Sequence, residues 1–410
     1  MARTLASLPP GSRITDYVSL GVLTKSFPLR RVRAVLSRSR KASIRQRELP
    51  APVVVYYVVA LALYMQSSYR EVLRCLLEGL QWLRGPGASV SVAGKSGISQ
   101  ARTRLGWEPL KQLHDELVRP VAVRRTRGAW YRNWRLVSLD GSTLEVADTT
   151  DNAAAFGRPS GPRGDGAYPQ VRFVSIVENG THVLLASQLE SYGRSEKAIA
   201  KQVMPKLSVG MLCIADRLFA GYHLWKLAQS TGAELLWRVA SNFQLAPHKR
   251  LPDGSYLSYL YATTYDRQRQ RNGILVRVIE YRLEGVADAE PLYRLISTIL
   301  DHRQAPAKEL AALYPERWEI ETALDELKTH LRGSKIVLRS KTPDLVRQEF
   351  YGMMMAHYAI RSLMHEAALQ GDVDPDRLSF LHAVRVVRRK LPLHNIIPPS
   401  AQKGVSGGRS

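Results

Sequence analysis

The chain has 410 residues and a formal net charge of +23, from 59 Lys plus Arg against 36 Asp plus Glu, with an isoelectric point of about 10.2. This length allows two or three domains with a substantial core and excludes a disordered, tail-like protein. The two cysteines, Cys75 and Cys213, lie far apart without metal-ligand spacing, which excludes a disulfide framework or a zinc ribbon.

The excess positive charge is concentrated in short clusters, which favours contacts with the phosphates of a polyanion. Such contacts supply affinity without sequence choice, and they weaken steeply with salt because counterions are released. Any single cluster can equally be a solvated surface. The clusters are residues 30–33, 38–41, 45–47, 124–127, 267–271 and 388–390.

The N-terminal region alternates basic and apolar stretches of helical character from Asp16 to about Val121, which predicts a helical domain over residues 1–125. Its apolar run Ala51–Met65 is short for a bilayer span, and no cleavable signal precedes it. We therefore expect a buried helix there, no membrane association and a cytoplasmic location.

A first candidate functional residue closes a run of β-type composition. The segment Trp134–Val146 contains Leu136, Val137 and Leu139 directly before Asp140. These residues predict a strand with a carboxylate at its end. The dipeptide that Asp140 forms with the following glycine is also common in turns, so a structural role remains open.

A second aspartate follows a short continuous apolar run. The residues Val209–Ala215 have the composition of a strand buried on both faces, and Asp216 comes next. A helix is predicted from Gly221 onward. Asp216 could instead cap that helix, so this residue too has a structural alternative.

The order of the predicted elements defines the fold class. Three strands, a helix, a strand, a helix and a strand are the order of a ribonuclease H-like α/β domain, which we place at residues 126–335. A β-rich insertion is expected at about 242–301, and a helical region with a flexible tail at 336–410. Besides the two strands above, the predicted elements are strands at 171–177, 182–187 and 234–240 and a helix at 195–207.

Four polar side chains follow at helical spacing. Tyr314, Arg317, Glu321 and Lys328 stand at offsets of 0, 3, 7 and 14, which fall within roughly 60° on a helix. A solvated face with ion pairs is the plain interpretation. After two strand-end aspartates, however, a helical carboxylate completes an oxygen-ligand set for divalent metal ions.

These residues resemble those of the bacterial insertion-sequence transposases that have an Asp-Asp-Glu triad and a Tyr-Arg-Glu-Lys signature. The signature Tyr-x2-Arg-x3-Glu-x6-Lys matches residues 314–328 without a gap, and further similarity surrounds Asp140 and Asp216. The resemblance extends from about Gly21 to Leu391. One departure is Leu218, where the family often has glycine.

The resemblance implies that Asp140, Asp216 and Glu321 are the catalytic and metal-binding residues, and its spacing selects Glu321 over the nearby Asp325. It also implies that the remaining signature residues bind phosphates of the transposon end: Tyr314, Arg317 and Lys328. The family uses a ribonuclease H-like fold, and its insertion is thought to shape the DNA end near the active site.

The expected cofactor is Mg²⁺, as two ions about 3.5–4 Å apart, with Mn²⁺ as a substitute. The expected partner is double-stranded DNA, namely the terminal inverted repeats of a transposon and the target DNA. Family resemblance and the need to hold two ends imply a homodimer in the synaptic complex, in a cytoplasmic, nucleoid-associated protein. Trp237 and Trp318 are candidates for stacking on an unpaired base, but burial in the core is the commoner role of such aromatics and is the favoured interpretation.

Two other functions remain open at this point. A ribonuclease H-like nuclease without transposition would use the same carboxylates, but it would have less reason for the Tyr-Arg-Lys stripe and the large helical N-terminal region. A non-catalytic DNA-binding regulator would need only the basic clusters.

Overall fold

The computed structural model describes residues 16–43, 49–84, 93–161, 164–283, 290–333 and 337–389. The protein is a mixed α/β structure: the middle of the chain forms a large central sheet, and helical N-terminal and C-terminal regions precede and follow it in the sequence. The basic cluster at 45–47 and the predicted flexible tail after Lys390 lie outside the described residues.

The described part of the N-terminal region contains six helices, in agreement with the predicted helical character. The apolar run becomes a helix that begins after Pro50, has a second proline in its first turn and is almost entirely buried. The helices are α1 (Asp16–Ser26), α2 (Leu29–Arg38), α3 (Ala51–Leu63), α4 (Tyr69–Arg84), α5 (Lys95–Leu105) and α6 (Glu108–Leu117).

The central sheet contains each of the predicted strands. Its first five long strands run in the order β6-β5-β2-β7-β8, with β2, β7 and β8 parallel and the β6–β5 and β5–β2 pairs antiparallel. The elements are β1 (Trp130–Tyr131), β2 (Trp134–Glu145), α7 (Thr150–Phe156), β3 (Ser160–Gly161), β4 (Gly164–Asp165), β5 (Gln170–Glu178), β6 (Val183–Ser191), α8 (Glu196–Val203), β7 (Met211–Ala215), α9 (Tyr222–Gln229) and β8 (Glu234–Arg238).

Strand β2 corrects one prediction. Asp140 does not end the strand and does not form a turn with Gly141, because both residues pair with β5 and the strand continues to Glu145. β5 supplies backbone partners along the whole second half of β2, and an Asp-Gly pair inside such a ladder has no freedom to turn.

The predicted β-rich insertion extends the same sheet. Its last strand pairs antiparallel with β8, and the others follow outward in the order β12-β11-β10-β9. The elements are β9 (Lys249–Arg250), β10 (Tyr256–Leu260), α10 (Thr264–Gln268), β11 (Ile274–Tyr281) and β12 (Tyr293–Ser297).

The segment that carries the four polar side chains is helical, but it is not one regular α-helix. A 3₁₀ turn at Tyr314–Trp318 leads into a short α-helix, and a π-helical segment at Glu326–Leu331 follows. π-Segments are rare and are frequent at functional sites. The C-terminal helices are α11 (Ala307–Leu313), α12 (Glu319–Asp325), α13 (Pro343–Gly371) and α14 (Phe380–Arg389).

Helix α13 lies at the centre of the molecule, where it packs against α3, α6, α1 and β6. Its Met353–Met355 segment is fully buried in the core. One apolar cluster runs from the N-terminal helices through α13 to one face of the sheet. Among the described residues, no helix has the length and apolarity that a membrane span requires.

A second, smaller apolar cluster covers the opposite face of the sheet. It contains Leu136 of β2, Ile214 of β7, Leu310 of α11 and Tyr314. This packing fixes the start of the signature segment over the parallel strands β2 and β7.

Candidate active site

The register of two parallel strands places the two aspartates side by side. Leu139 and Ala215 are the last paired residues of β2 and β7, so Asp140 and Asp216 come next on neighbouring strands. β7 ends there, and Asp216 opens a turn in which its carbonyl accepts a hydrogen bond from the Phe219 N–H (3.0 Å).

Asp216 does not cap the helix that follows it, because the N-cap residue of α9 is Gly221. Leu218 lies in the intervening turn with a negative φ and an exposed side chain. The turn therefore needs no glycine at this position.

Tyr314 contacts the second aspartate. Its hydroxyl donates to Asp216 Oδ1 at 3.4 Å, and its ring is buried in the smaller apolar cluster. Burial, and after it the charge of Asp216, raise the pKa of Tyr314 above its ordinary range. Tyr314 is therefore a neutral hydrogen-bond donor at any physiological pH.

Arg317 joins the first aspartate to the helical glutamate. Its Nη1 lies 3.6 Å from Asp140 Oδ2, and its Nη2 lies 3.0 Å from Glu321 Oε1, one helical turn away. Burial alone would lower the pKa of Arg317, but Tyr314, Glu321, Asp140 and Asp216 together raise it. Arg317 as a whole is only 8% exposed, and its guanidinium lies among three carboxylates.

The pKa of Asp140 is raised by its surroundings. Burial raises its pKa to about 6, against the lowering effects of the Gly141 N–H and of Arg317. The charges of Glu196 and Glu321 contribute to this raised pKa. The Gly141 N–H donates to Asp140 Oδ1 at 2.7 Å. A carboxyl that is costly to ionise, beside other carboxyls, is typical of functional sites.

Lys328 also reaches the strand that carries Asp140. Its Nζ donates to Ser142 Oγ at 2.9 Å from the π-helical segment. Since residues two apart in a strand face the same side, Lys328 lies on the face of the sheet to which Asp140 points. All six candidate residues therefore lie around the point where the pairing of β2 with β7 ends. They are Asp140, Asp216, Tyr314, Arg317, Glu321 and Lys328.

The rival acid Asp325 has other contacts. Its carboxylate accepts a hydrogen bond from Thr329 Oγ1 at 2.5 Å and lies 3.7 Å from His330 Nε2. Neither partner belongs to the group around Arg317.

The two candidate base-stacking tryptophans differ sharply in exposure. Trp237 is fully buried against Trp225, with ring centroids 5.1 Å apart, which is the outcome that the sequence favoured over base stacking for this residue. Its position on a strand covered on both faces explains the burial. Trp318 is 61% exposed and lies beneath the Arg317 guanidinium, 5.0 Å from the ring centroid.

Two further groups were not singled out by the sequence motifs. Glu196, at the start of α8, lies against Gly141 beside the acid site. Separately, His182, Glu319 and Asp376 bring ligand atoms within 4.8 Å of one another, with the buried Glu326 also contacting His182. None of the residues of this second group belongs to the site around Arg317.

The donor set around Arg317 fits divalent metal ions. It offers carboxylate oxygens from Asp140, Asp216 and Glu321, which are the ligands that hard cations such as Mg²⁺ prefer. The guanidinium of Arg317, which pairs with Asp140 and Glu321, balances only part of the negative charge of the three carboxylates. The arrangement can therefore accept additional positive charge.

Comparisons with known proteins agree with this geometry. The family model described as "Transposase DDE domain" matches residues 135–359, and the one described as "Insertion element 4 transposase N-terminal" matches residues 17–115. The first match spans more than half of the chain and includes the six residues above.

Two curated relatives come from Escherichia coli (strain K12). The chain is 28% identical over 368 residues to the transposase InsG for insertion sequence element IS4, covering 87% of this chain and 79% of the relative. It is 22% identical over 220 residues to the putative transposase InsZ, covering 53% of this chain and 71% of the relative.

One solved structure is also similar in outline. It is the cryo-EM structure of a piggyBac transposase synaptic complex with hairpin DNA, with 11% sequence identity and a TM-score of 0.47. The match covers 91% of this chain and 79% of the other. Similarity at this level assigns neither a fold nor a function.

Proposed function

Because the chain belongs to the IS4 family of DDE transposases, we propose that Asp140, Asp216 and Glu321 are its catalytic carboxylates and hold its divalent metal ions. The protein is a metal-dependent transposase that binds DNA, cleaves it and transfers strands. The observation that carries the assignment is the position of the Arg317 guanidinium, which pairs with both Asp140 and Glu321 beside Asp216.

Mg²⁺ is the proposed ion, with two ions in the site and Mn²⁺ as a substitute. Bound there, the ions would stabilise the negative charge that develops on the entering and departing oxygens of a phosphodiester. The protein's own contribution is to hold three carboxylates on β2, β7 and α12 in one place. Burial raises the pKa of Asp140 to about 6 in the metal-free protein, and a bound cation would favour its ionised form.

Tyr314, Arg317 and Lys328 are proposed to bind phosphates of the transposon end. The planar fork of Arg317 suits bidentate contact with a phosphate, and Lys328 acts as a point charge. Trp318 is proposed as a stacking surface for an unpaired base, because its exposed ring lies next to Arg317.

The wider proposal concerns fold and assembly. The strand order β6-β5-β2-β7-β8 supports a ribonuclease H-like catalytic domain at residues 126–335, with residues 242–301 as an insertion and residues 1–125 as an end-binding region. We further propose cut-and-paste transposition of an element with terminal inverted repeats by a homodimer that holds two ends, in a nucleoid-associated protein.

The test compares three variants on linear DNA that carries the inverted repeats flanking this reading frame. Glu321→Gln should keep end binding in a gel-shift assay but reduce cleavage by on the order of 100-fold or more. Asp325→Asn, an acid on the same helix four residues away, is the matched control and should cleave like the wild type. Lys328→Ala should weaken end binding.

Equal cleavage by Glu321→Gln and the wild type would refute the assignment. The products also separate the possible activities. Paired cleavage with strand joining indicates transposition, cleavage alone indicates a nuclease, and binding alone indicates a regulator.

A further inference from the structure

A fourth carboxylate approaches the acid site from the other side of the sheet. Glu196 is the first residue of α8, after the N-cap Ser195, whose hydroxyl accepts the Ala198 N–H. α8 packs on β5 and β6, and β5 is the neighbour of β2 in the sheet. This packing brings the first turn of the helix close to the middle of β2.

Gly141 makes room for this carboxylate. A Cβ atom at position 141 would lie 2.5 Å from Cδ and 2.8 Å from Oε2 of Glu196. Because side chains alternate along a strand, a side chain here would start from the face opposite to Asp140, at the point where β7 no longer pairs with β2 and leaves that edge of the strand open. The Glu196 carboxyl therefore fills the space that any other residue at position 141 would need, and it lies against the backbone next to Asp140.

This position is electrostatically unfavourable for a carboxylate in the protein alone. Glu196 repels Asp140, and partial burial disfavours its own charge. The positive charge of Arg172 partly offsets this effect, because it lowers the pKa of Glu196. Among the described residues, however, none donates a hydrogen bond to the Glu196 carboxylate or forms an ion pair with it. A cation bound beside Asp140 would supply the missing partner.

We propose that Glu196 is a fourth carboxylate of the metal site and helps to hold the cation that Asp140 binds. This inference rests on the proposed function and adds to it a residue outside the Asp-Asp-Glu triad. The competing explanation is that Glu196 merely stabilises α8, since acidic residues in a first helical turn interact favourably with the helix dipole.

The two explanations differ in what Glu196→Gln changes. A metal-site role predicts that Mn²⁺ binds about tenfold more weakly, while the thermal midpoint of the metal-free protein stays the same or rises as repulsion of Asp140 is removed. A helix-dipole role predicts a lower midpoint of the metal-free protein and unchanged Mn²⁺ affinity.

The experiment titrates the full-length protein, without DNA, with Mn²⁺ and follows free Mn²⁺ by electron paramagnetic resonance. Glu145→Gln is the matched control, because it removes an exposed carboxylate from the same strand four residues beyond Gly141. It should bind Mn²⁺ like the wild type. Asp140→Asn and Asp216→Asn each remove a proposed metal ligand, so both variants should bind Mn²⁺ more weakly than the wild type.

Failure of the inference is distinguishable from failure of the proposed function. If both aspartate variants lose Mn²⁺ affinity and Glu196→Gln does not, Glu196 is not part of the site but the assignment of the triad stands. If none of the three variants affects Mn²⁺ binding, the proposed metal site is wrong, and this inference falls with it.

Gly141→Ala provides a second, independent test. Its methyl group would displace the Glu196 carboxyl, so it should weaken Mn²⁺ binding as Glu196→Gln does. Combining the two changes should then cause no further loss. Fully additive losses would show that Gly141 and Glu196 act separately and would overturn the proposal.

Discussion

Leu139 of β2 and Ala215 of β7 face each other in the last register position of two parallel strands, and an aspartate follows each of them. The strands differ in what comes next: β7 ends, while β2 continues along β5. Asp140 is therefore held by a rigid ladder, whereas Asp216 begins a turn. The segment with the Tyr-Arg-Glu-Lys signature, residues 314–328, lies over the point where β7 ends. It brings Arg317 close to Asp140 and Asp216.

Metal affinity should depend on the protonation of Asp140. Burial raises the pKa of this carboxyl to about 6, so below that pH a proton competes with the cation. We expect Mn²⁺ affinity to fall by up to about tenfold per pH unit below pH ~6 and to level off above pH ~7. Isothermal titration calorimetry across this range measures the effect, and a constant affinity between pH ~5 and ~7 would contradict it.

Trp318→Ala should impair DNA handling without affecting folding. The ring is 61% exposed, so its loss should leave the thermal midpoint unchanged. Loss of a stacked base costs about 1–3 kcal/mol, which corresponds to a roughly 5- to 150-fold weaker interaction with a pre-cleaved transposon end. Fluorescence anisotropy measures the affinity.

Tyr265→Ala is the control for this variant. Tyr265 is also an exposed aromatic, at 59%, and Arg269 lies over its ring at the same centroid distance of 5.0 Å. Equal effects of the two substitutions would mean that Trp318 has no special role.

Arg361→Ala should destabilise the fold strongly. Arg361 pairs with the buried Glu326, which His182 and His357 also contact. Removing the cation leaves a buried carboxylate, at a cost of about 3–5 kcal/mol. Chemical denaturation measures the loss. Glu366 lies on the same helix as Arg361 and forms an exposed ion pair with Lys25 of α1. The substitution Glu366→Gln breaks this pair and should lower the free energy of unfolding by at most about 1 kcal/mol.

The same network predicts acid sensitivity. Burial would raise the pKa of Glu326, but hydrogen bonds from His182 and His357 and the charge of Arg361 hold it well below its usual range. Its contribution to stability is therefore present above the pKa of an unfolded glutamate and is lost as the pH falls below that value. We therefore expect a fall in pH to reduce the free energy of unfolding of Arg361→Ala less than that of the wild type.

Glu319→Gln should stabilise the protein at alkaline pH. Burial raises the pKa of Glu319 well above its usual range, and Glu316 adds to this effect. The hydrogen bond from the Gly180 N–H acts in the opposite direction but is outweighed. A raised pKa in the folded state means that stability is greatest below the unfolded value and declines as the pH rises.

Glutamine keeps an acceptor for Gly180 but carries no charge. The difference in thermal midpoint between Glu319→Gln and the wild type should therefore grow from pH ~5 to pH ~8. A difference that stays the same across this range would show that Glu319 ionises freely in the folded protein.

The sequence by itself determined the elements and the candidate residues. Apolar runs of β composition predicted the strands around Asp140 and Asp216, and the spacing of Tyr314, Arg317, Glu321 and Lys328 predicted a common helical face. These features are local: side-chain periodicity and strand composition depend on neighbours within a few residues. The regularity of the helix was not predictable, because tertiary packing imposes its 3₁₀ and π segments.

Tertiary structure alone decided which residues meet. Asp140 lies within its strand because β5 pairs beyond the end of β7, and Trp237 is buried while Trp318 is exposed because only Trp237 lies on a strand covered on both faces. Glu196 reaches Gly141 from 55 residues away only because α8 packs back over β5 and β6. Register and crossover packing arise from contacts between distant segments, and no local pattern in the sequence encodes them.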